Sequence, residues 1–108
     1  MLIYNCTFMV DEDQAESLLR WLRGGTVSRL TEGLTDSNPR LSTLVEVPGD
    51  PDFASHARSF ALQIEFRTIE DAHAWGDARL MPLIADYTAK FGIERAAIFT
   101  TILEEIEL

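Results

Sequence analysis

Between Arg58 and Arg67 the chain alternates without a break, with Phe60, Leu62, Ile64 and Phe66 opposed by Ser59, Ala61, Gln63, Glu65 and Arg67. Successive side chains of an extended strand point to opposite faces, so this pattern predicts a half-buried β-strand rather than a helix. Leu2 to Val10 shows the same period: Leu2, Tyr4, Cys6, Phe8 and Val10 are apolar, while Ile3, Asn5, Thr7 and Met9 are mixed. Arg40 to Val47 reads as a further strand, with Leu41, Thr43, Val45 and Val47 facing away from Arg40, Ser42, Leu44 and Glu46. A last strand is expected over Arg95 to Glu104, where Ala97, Phe99, Thr101 and Leu103 oppose Ile98, Thr100 and Ile102.

Two helical segments separate these strands. Asp11, Glu12, Asp13 and Gln14 supply an N-cap, acids for the positive end of a helix dipole, and a Gln at the capping-box position. Ala15, Leu18, Leu19 and Leu22 follow at helical spacing, Gly24 and Gly25 provide an exit, and Thr26 to Gly33 reads as a short second helical piece. Asp36, Ser37, Asn38 and Pro39 then break the chain, as do Pro48, Gly49, Asp50 and Pro51. The second segment starts at the cap Thr68 and carries its apolar stripe through Ile69, Ala72, Gly76, Leu80, Leu83, Tyr87 and Phe91. Pro82 has no amide proton for the carbonyl of Ala78, so two pieces should meet near Leu80 and Met81 before Gly92 closes the helix.

The order βαββαβ predicts an α+β, ferredoxin-like domain over residues 1–108. Right-handed crossovers give a four-stranded antiparallel sheet of order 4-1-3-2 with both helices on one face. The other face is left bare. Ile3, Asn5, Thr7, Met9, Arg40, Ser42, Leu44, Glu46, Ala61, Gln63, Glu65, Ile98, Thr100 and Ile102 are expected there. That mixture suits sheet-to-sheet pairing of two copies around a pocket, a half-wet contact surface, or plain solvation.

Composition narrows the partners. Nine Lys and Arg against 18 Asp and Glu leave a net charge of −9, which repels phosphate backbones and anionic headgroups. The aromatics of the first and third strands also fall on the covered face, whereas RNA-binding sheets of this topology stack bases on their open one. Neither nucleic acid nor membrane is expected as a partner. A single cysteine forms no internal disulfide, and with no basic leader at Met1 to Asn5 and no apolar run of ~20 residues, a soluble cytoplasmic protein is expected.

Ile3, Tyr4, Asn5, Cys6 and Thr7 running to Val10 and Asp11, the Lys90, Phe91, Gly92 motif, and Thr101 to Glu105 together resemble a bacterial domain-of-unknown-function family of about this length. That family implies no particular activity. Its members often carry a His just ahead of the Arg/Lys-Phe-Gly motif, where this chain has Asp86, Tyr87 and Thr88. More distantly, the element order and polar bare face are similar to the dimeric α/β-barrel superfamily, which includes small monooxygenases. Haem-degrading members of that superfamily place an Asn on the first strand, a Trp early in the second helix and an axial His beyond it. Asn5 and Trp75 occupy comparable positions, but Ala85 stands where the His would be, so the resemblance implies no haem anchor.

Individual residues add candidates. His73, at the border of the helix stripe, is expected to be half-buried and structural. Asp50, Asp52 and His56 have no spacing that fixes three metal ligands, so a solvated loop is expected and no metal. Cys6 reads as a small buried hydrophobe. Trp75 lies off the stripe centre, at a helix edge, as a packing, dimer-contact or ligand-stacking residue. Arg40 and Glu65 are expected to form a cross-strand ion pair. No phosphate-binding, dinucleotide-binding or nucleophile-elbow motif is present.

The first reading is therefore a homodimeric binding or interaction protein that uses its bare sheet face and needs no cofactor. A second is a cofactor-independent, monooxygenase-like enzyme acting on a small organic molecule in a pocket of Asn5, Thr7, Arg40, Gln63, Glu65 and Trp75. A third is a regulatory domain that senses a small ligand.

Overall fold

A computed structural model describes residues 1–50, 52, 57–92 and 96–108. Strand β1 (Leu2–Asp11) leads through a tight turn at Glu12–Gln14 into α1 (Ala15–Trp21) and then α2 (Val27–Thr31). Strands β2 (Arg40–Thr43) and β3 (Ala57–Phe66) follow, then α3 (Ile69–Trp75), α4 (Met81–Phe91) and β4 (Ala96–Glu104). The strands form one antiparallel sheet of order β2-β3-β1-β4, which is the expected 4-1-3-2 read from its other edge. Pro51, Phe53 to His56 and Ile93 to Arg95 lie outside the described residues, and with them His56 of the expected solvated loop and the first residue of the last strand.

Both helical arms bend where glycine or proline dictates. Gly25 takes φ +114 between α1 and α2, a conformation that L side chains rarely adopt. Between α3 and α4 the turn Gly76–Leu80 is one residue wider than an α-turn, with the Met81 amide donating to the Gly76 carbonyl. Pro82 follows in the first turn of α4, where its missing amide proton costs nothing. Thr68 caps α3, its hydroxyl accepting from the Asp71 amide at 3.1 Å. Gln14 closes no capping box of its own helix; its amide donates to the Phe91 carbonyl at the end of α4, tying the two arms together.

The dry layer lies between helices and sheet. Cys6, Phe8, Val10, Phe60, Leu62, Ile64 and Phe66 meet Leu18, Leu22, Leu30, Ala72, Trp75, Leu80, Leu83, Tyr87 and Phe91. Tyr87 is 1% exposed, and its hydroxyl donates to the Met9 carbonyl at 2.8 Å with Ala97 O at 3.1 Å, pinning β1 and β4 together. Tyr4 packs edge-on against Trp75, and its hydroxyl sits so close to Gly76 that a Cβ there would lie 2.9 Å from Tyr4 Oη.

Several expectations are corrected. β2 ends at Thr43 instead of Val47: after the Leu44 amide donates to Ser59 O, the chain turns through Pro48 and Gly49 to bridge Val47 with Asp50, leaving Val45 83% exposed. The faces of β4 are reversed, because Asn5 pairs with Thr101 and Cys6 with Thr100. Ile98 and Ile102 thus pack against the core, and Phe99, Thr101 and Leu103 take the bare face. Ile69 and His73 are exposed and Trp75 is buried, since the wide turn shifts the phase of the apolar stripe by one residue, about 100°.

Two stability outcomes follow. Tyr87→Phe should cost about 1–2 kcal/mol in urea unfolding, because it removes the buried phenol proton that the Met9 and Ala97 carbonyls share. Gly76→Ala should cost about 1–3 kcal/mol through overpacking, and less in a Tyr4→Phe background that removes the nearest atom.

Candidate functional site

The pleat sends Ile3, Asn5, Thr7 and Met9 of β1 away from the helices, beside Ser59, Ala61, Gln63 and Glu65 of β3. Arg40 and Ser42 of β2 and Ala97, Phe99, Thr101 and Leu103 of β4 complete that face. At its centre the register places Gln63, Asn5 and Thr101 side by side on three adjacent strands. Gln63 Nε2 donates to Asn5 Oδ1 at 3.4 Å, and Asn5 Nδ2 donates to Thr7 Oγ1 at 3.3 Å and Thr101 Oγ1 at 3.4 Å. Polar side chains on a half-covered face thus satisfy one another across the sheet.

Of the anticipated pocket residues, the structure brings together Asn5, Thr7 and Gln63. Arg40 stands directly opposite Gln63, and Glu65 opposite Ile3. The expected Arg40–Glu65 ion pair does not form; the pairing register offers Arg40 an amide instead of the carboxylate. Trp75 lies on the other side of the sheet, 5% exposed, with Nε1 donating to the Leu30 carbonyl at 2.7 Å and its ring against Tyr4 and Phe66. It is a core residue that anchors the end of α2. Asn5 and Trp75, similar in position to the haem-pocket pair, therefore face opposite ways and do not converge. Thr101, missed in the sequence, joins the network because the β1–β4 register reverses the faces of β4.

Beside the network a groove of about 380 Å³ runs along the bare face, lined by Thr7, Met9, Ser42, Leu44 and Ala61 among others. On the helix side, a larger groove of about 570 Å³ lies between residues 33–37, the end of β3 and α3, with Phe66 and Trp75 along it. Asp36 and Arg67 form an ion pair of 3.2 Å at its rim, with both side chains exposed, so the pair contributes little. Among the described residues no group of three or more His, Cys, Asp or Glu could hold a metal ion. Among the described residues no helix is long and apolar enough to cross a membrane.

Cys6 is 1% exposed, and burial pushes its thiol up to about 12. Burial also raises the Tyr87 phenol, reinforced by Cys6 and partly offset by its bond to Met9. These groups are inert packing at neutral pH.

This geometry, an antiparallel 2-3-1-4 sheet with two helical arms on one side, defines an α+β ferredoxin-like fold. It is similar to the crystal structure of a candidate antibiotic biosynthesis monooxygenase from Deinococcus radiodurans, with a TM-score of 0.67 and 14% identity over 100% of this chain and 95% of that one. At that identity the likeness concerns the fold. Residues 1–106 match the family described as domain of unknown function DUF4286, and the chain belongs to that family. No curated protein matches it.

The raised thiol makes a pH prediction. The Cys6 thiol ionises near 9 when unfolded and near 12 when folded, so between those values the folded state binds more protons and stability falls as pH rises. Urea unfolding at increasing pH should show this alkaline loss, reduced in Cys6→Ala, and a thiol reagent at about pH 8 should label Cys6 only after denaturation.

Proposed function

We propose that the protein works as a homodimer, pairing two copies through the uncovered sheet face and binding a small molecule between them. The observation that carries this reading is the composition of that face. In a chain of net charge −9, the strands place one carboxylate, Glu65, within it and Asp11 at its end, with Arg40 to offset one of the two. The rest is neutral, and Phe99 and Leu103 stand 56% and 47% exposed on it. Such a surface meets its own copy with little like-charge repulsion.

The area agrees. Strands of 10, 10, 9 and 4 residues present roughly 500 Å² in projection at ~3.3 Å rise and ~4.8 Å spacing, and more once side chains roughen it. A standard interface takes about 800 Å² per partner. Along its shortest axis the molecule extends 20 Å, as expected for one helix layer on one sheet. Pairing also agrees with what the resemblance to dimeric α/β barrels implies, and it would enclose the Asn5, Thr7, Gln63 and Thr101 group.

One observation favours the enzymatic reading, namely that the structural neighbour is described as a monooxygenase. In that reading Glu65 is the carboxylate on this face placed to take a proton from a bound substrate. Glu65→Gln would then abolish oxygen consumption with a responsive substrate, and unchanged turnover would reject the role.

Sedimentation across a hundredfold range of concentration tests the main reading. The wild type should run at twice the chain mass, and Phe99→Glu or Leu103→Glu should weaken association by about 100-fold, since each buries a charge without a partner. A wild type that stays monomeric contradicts it.

A further inference from the structure

We infer that the bare-face site takes an uncharged amphipathic small molecule, with an apolar body in the Met9, Leu44 and Ala61 groove and a head that both accepts and donates hydrogen bonds at Thr7 and Gln63. This rests on the reading of the bare face as the ligand-binding surface and adds the class of ligand.

The direction of the hydrogen bonds carries the argument. Gln63 gives one amide proton to Asn5, and Asn5 gives both of its own to the hydroxyl oxygens of Thr7 and Thr101. The network therefore ends in two hydroxyls whose protons it has not used, and begins at a Gln63 carbonyl oxygen that it has not used either. A molecule that enters must offer an acceptor to the threonines and a donor to Gln63. If it cannot, enclosing these groups leaves them unsatisfied, which discriminates strongly against it.

Charge and shape give the rest. Thr7 belongs to both the network and the groove of about 380 Å³, so the polar head and the apolar wall adjoin. That volume falls within the usual range for small-molecule sites. The charged groups nearest the network on this face are Arg40, opposite Gln63 and two residues before Ser42 of the groove, and Glu65, two residues along β3; they are of opposite sign and leave no net charge beside the site. The groove lining carries hydroxyls, a thioether and alkyl groups but no ionisable side chain. A net charge on the ligand would be desolvated in that groove, and whichever of Arg40 and Glu65 attracted it, the other would repel it.

A matched series tests the inference: 4-hydroxybenzamide, 4-hydroxybenzoate and 4-hydroxybenzylamine share ring and size but are neutral, anionic and cationic at about pH 6.5. Binding is read from the side-chain amide resonances of Asn5 and Gln63 and the Met9 methyl, with sedimentation run on the same samples. The expected result is that 4-hydroxybenzamide moves all three resonances and binds at least about tenfold more tightly than either ion. Thr7→Val should weaken that binding by about fivefold without changing the fold seen by circular dichroism. Equal or tighter binding of an ion, shifts confined to the Trp75 side, or no binding by any of the three overturns the inference. Sedimentation separates the two claims. Selective binding of the benzamide by a monomer keeps the ligand class and rejects the dimer, whereas a dimer that prefers the benzoate does the reverse.

Discussion

The pleat of a β-strand assigns every side chain to one of two faces, and in β1 and β3 that assignment leaves almost no freedom. Tyr4, Cys6, Phe8, Val10, Phe60, Leu62, Ile64 and Phe66 all go under the helices. A slip of one residue would expose that whole apolar set and bury Asn5, Gln63 and Glu65 in its place. The β1–β3 register therefore controls both layers at once: it builds the dry interior and aligns the amides on the opposite surface.

The helical layer fits that interior by bending. A straight helix from Ile69 to Phe91 would carry the apolar stripe in a single phase. The wide turn at Gly76–Leu80 allows Trp75 and Tyr87 both to face inward, with the glycine accommodating the tip of Tyr4. Trp75 and Arg79 then reach the carbonyls at the end of α2, so the shorter arm is held by polar bonds as well as packing. Tyr87 does the same for β1 and β4. Trp75 and Tyr87 each use the ring for the core and the polar atom to bond a backbone carbonyl.

The alternation in β1 and β3, the capping Thr68, the glycine exit at Gly24 and Gly25 and the break before Pro82 are properties of neighbouring residues, so they were legible in the sequence and placed the elements correctly. The facing of β4 was not legible. Ala97, Phe99, Thr101 and Leu103 are about as apolar as Ile98, Thr100 and Ile102, and the choice between them is made by the partner strand. Thr101 and Phe99 were lost from the candidate site for that reason. Trp75 was misplaced because an assumption of regular helical phase fails across a five-residue turn. Asn5, Thr7 and Gln63 were found because strand parity alone puts them on one face. The hydrogen bonds that link them depend on a register between residues 58 positions apart.

Whether the uncovered face joins two copies is tested most directly by isotope-filtered nuclear Overhauser spectroscopy on a mixture of labelled and unlabelled chains. Intermolecular contacts are expected from the Ile3, Met9 and Leu103 methyl groups and the Phe99 ring, and none from Met81 on the outer surface of α4. Intermolecular contacts that come from the helices, or none from the sheet, would contradict pairing through that face.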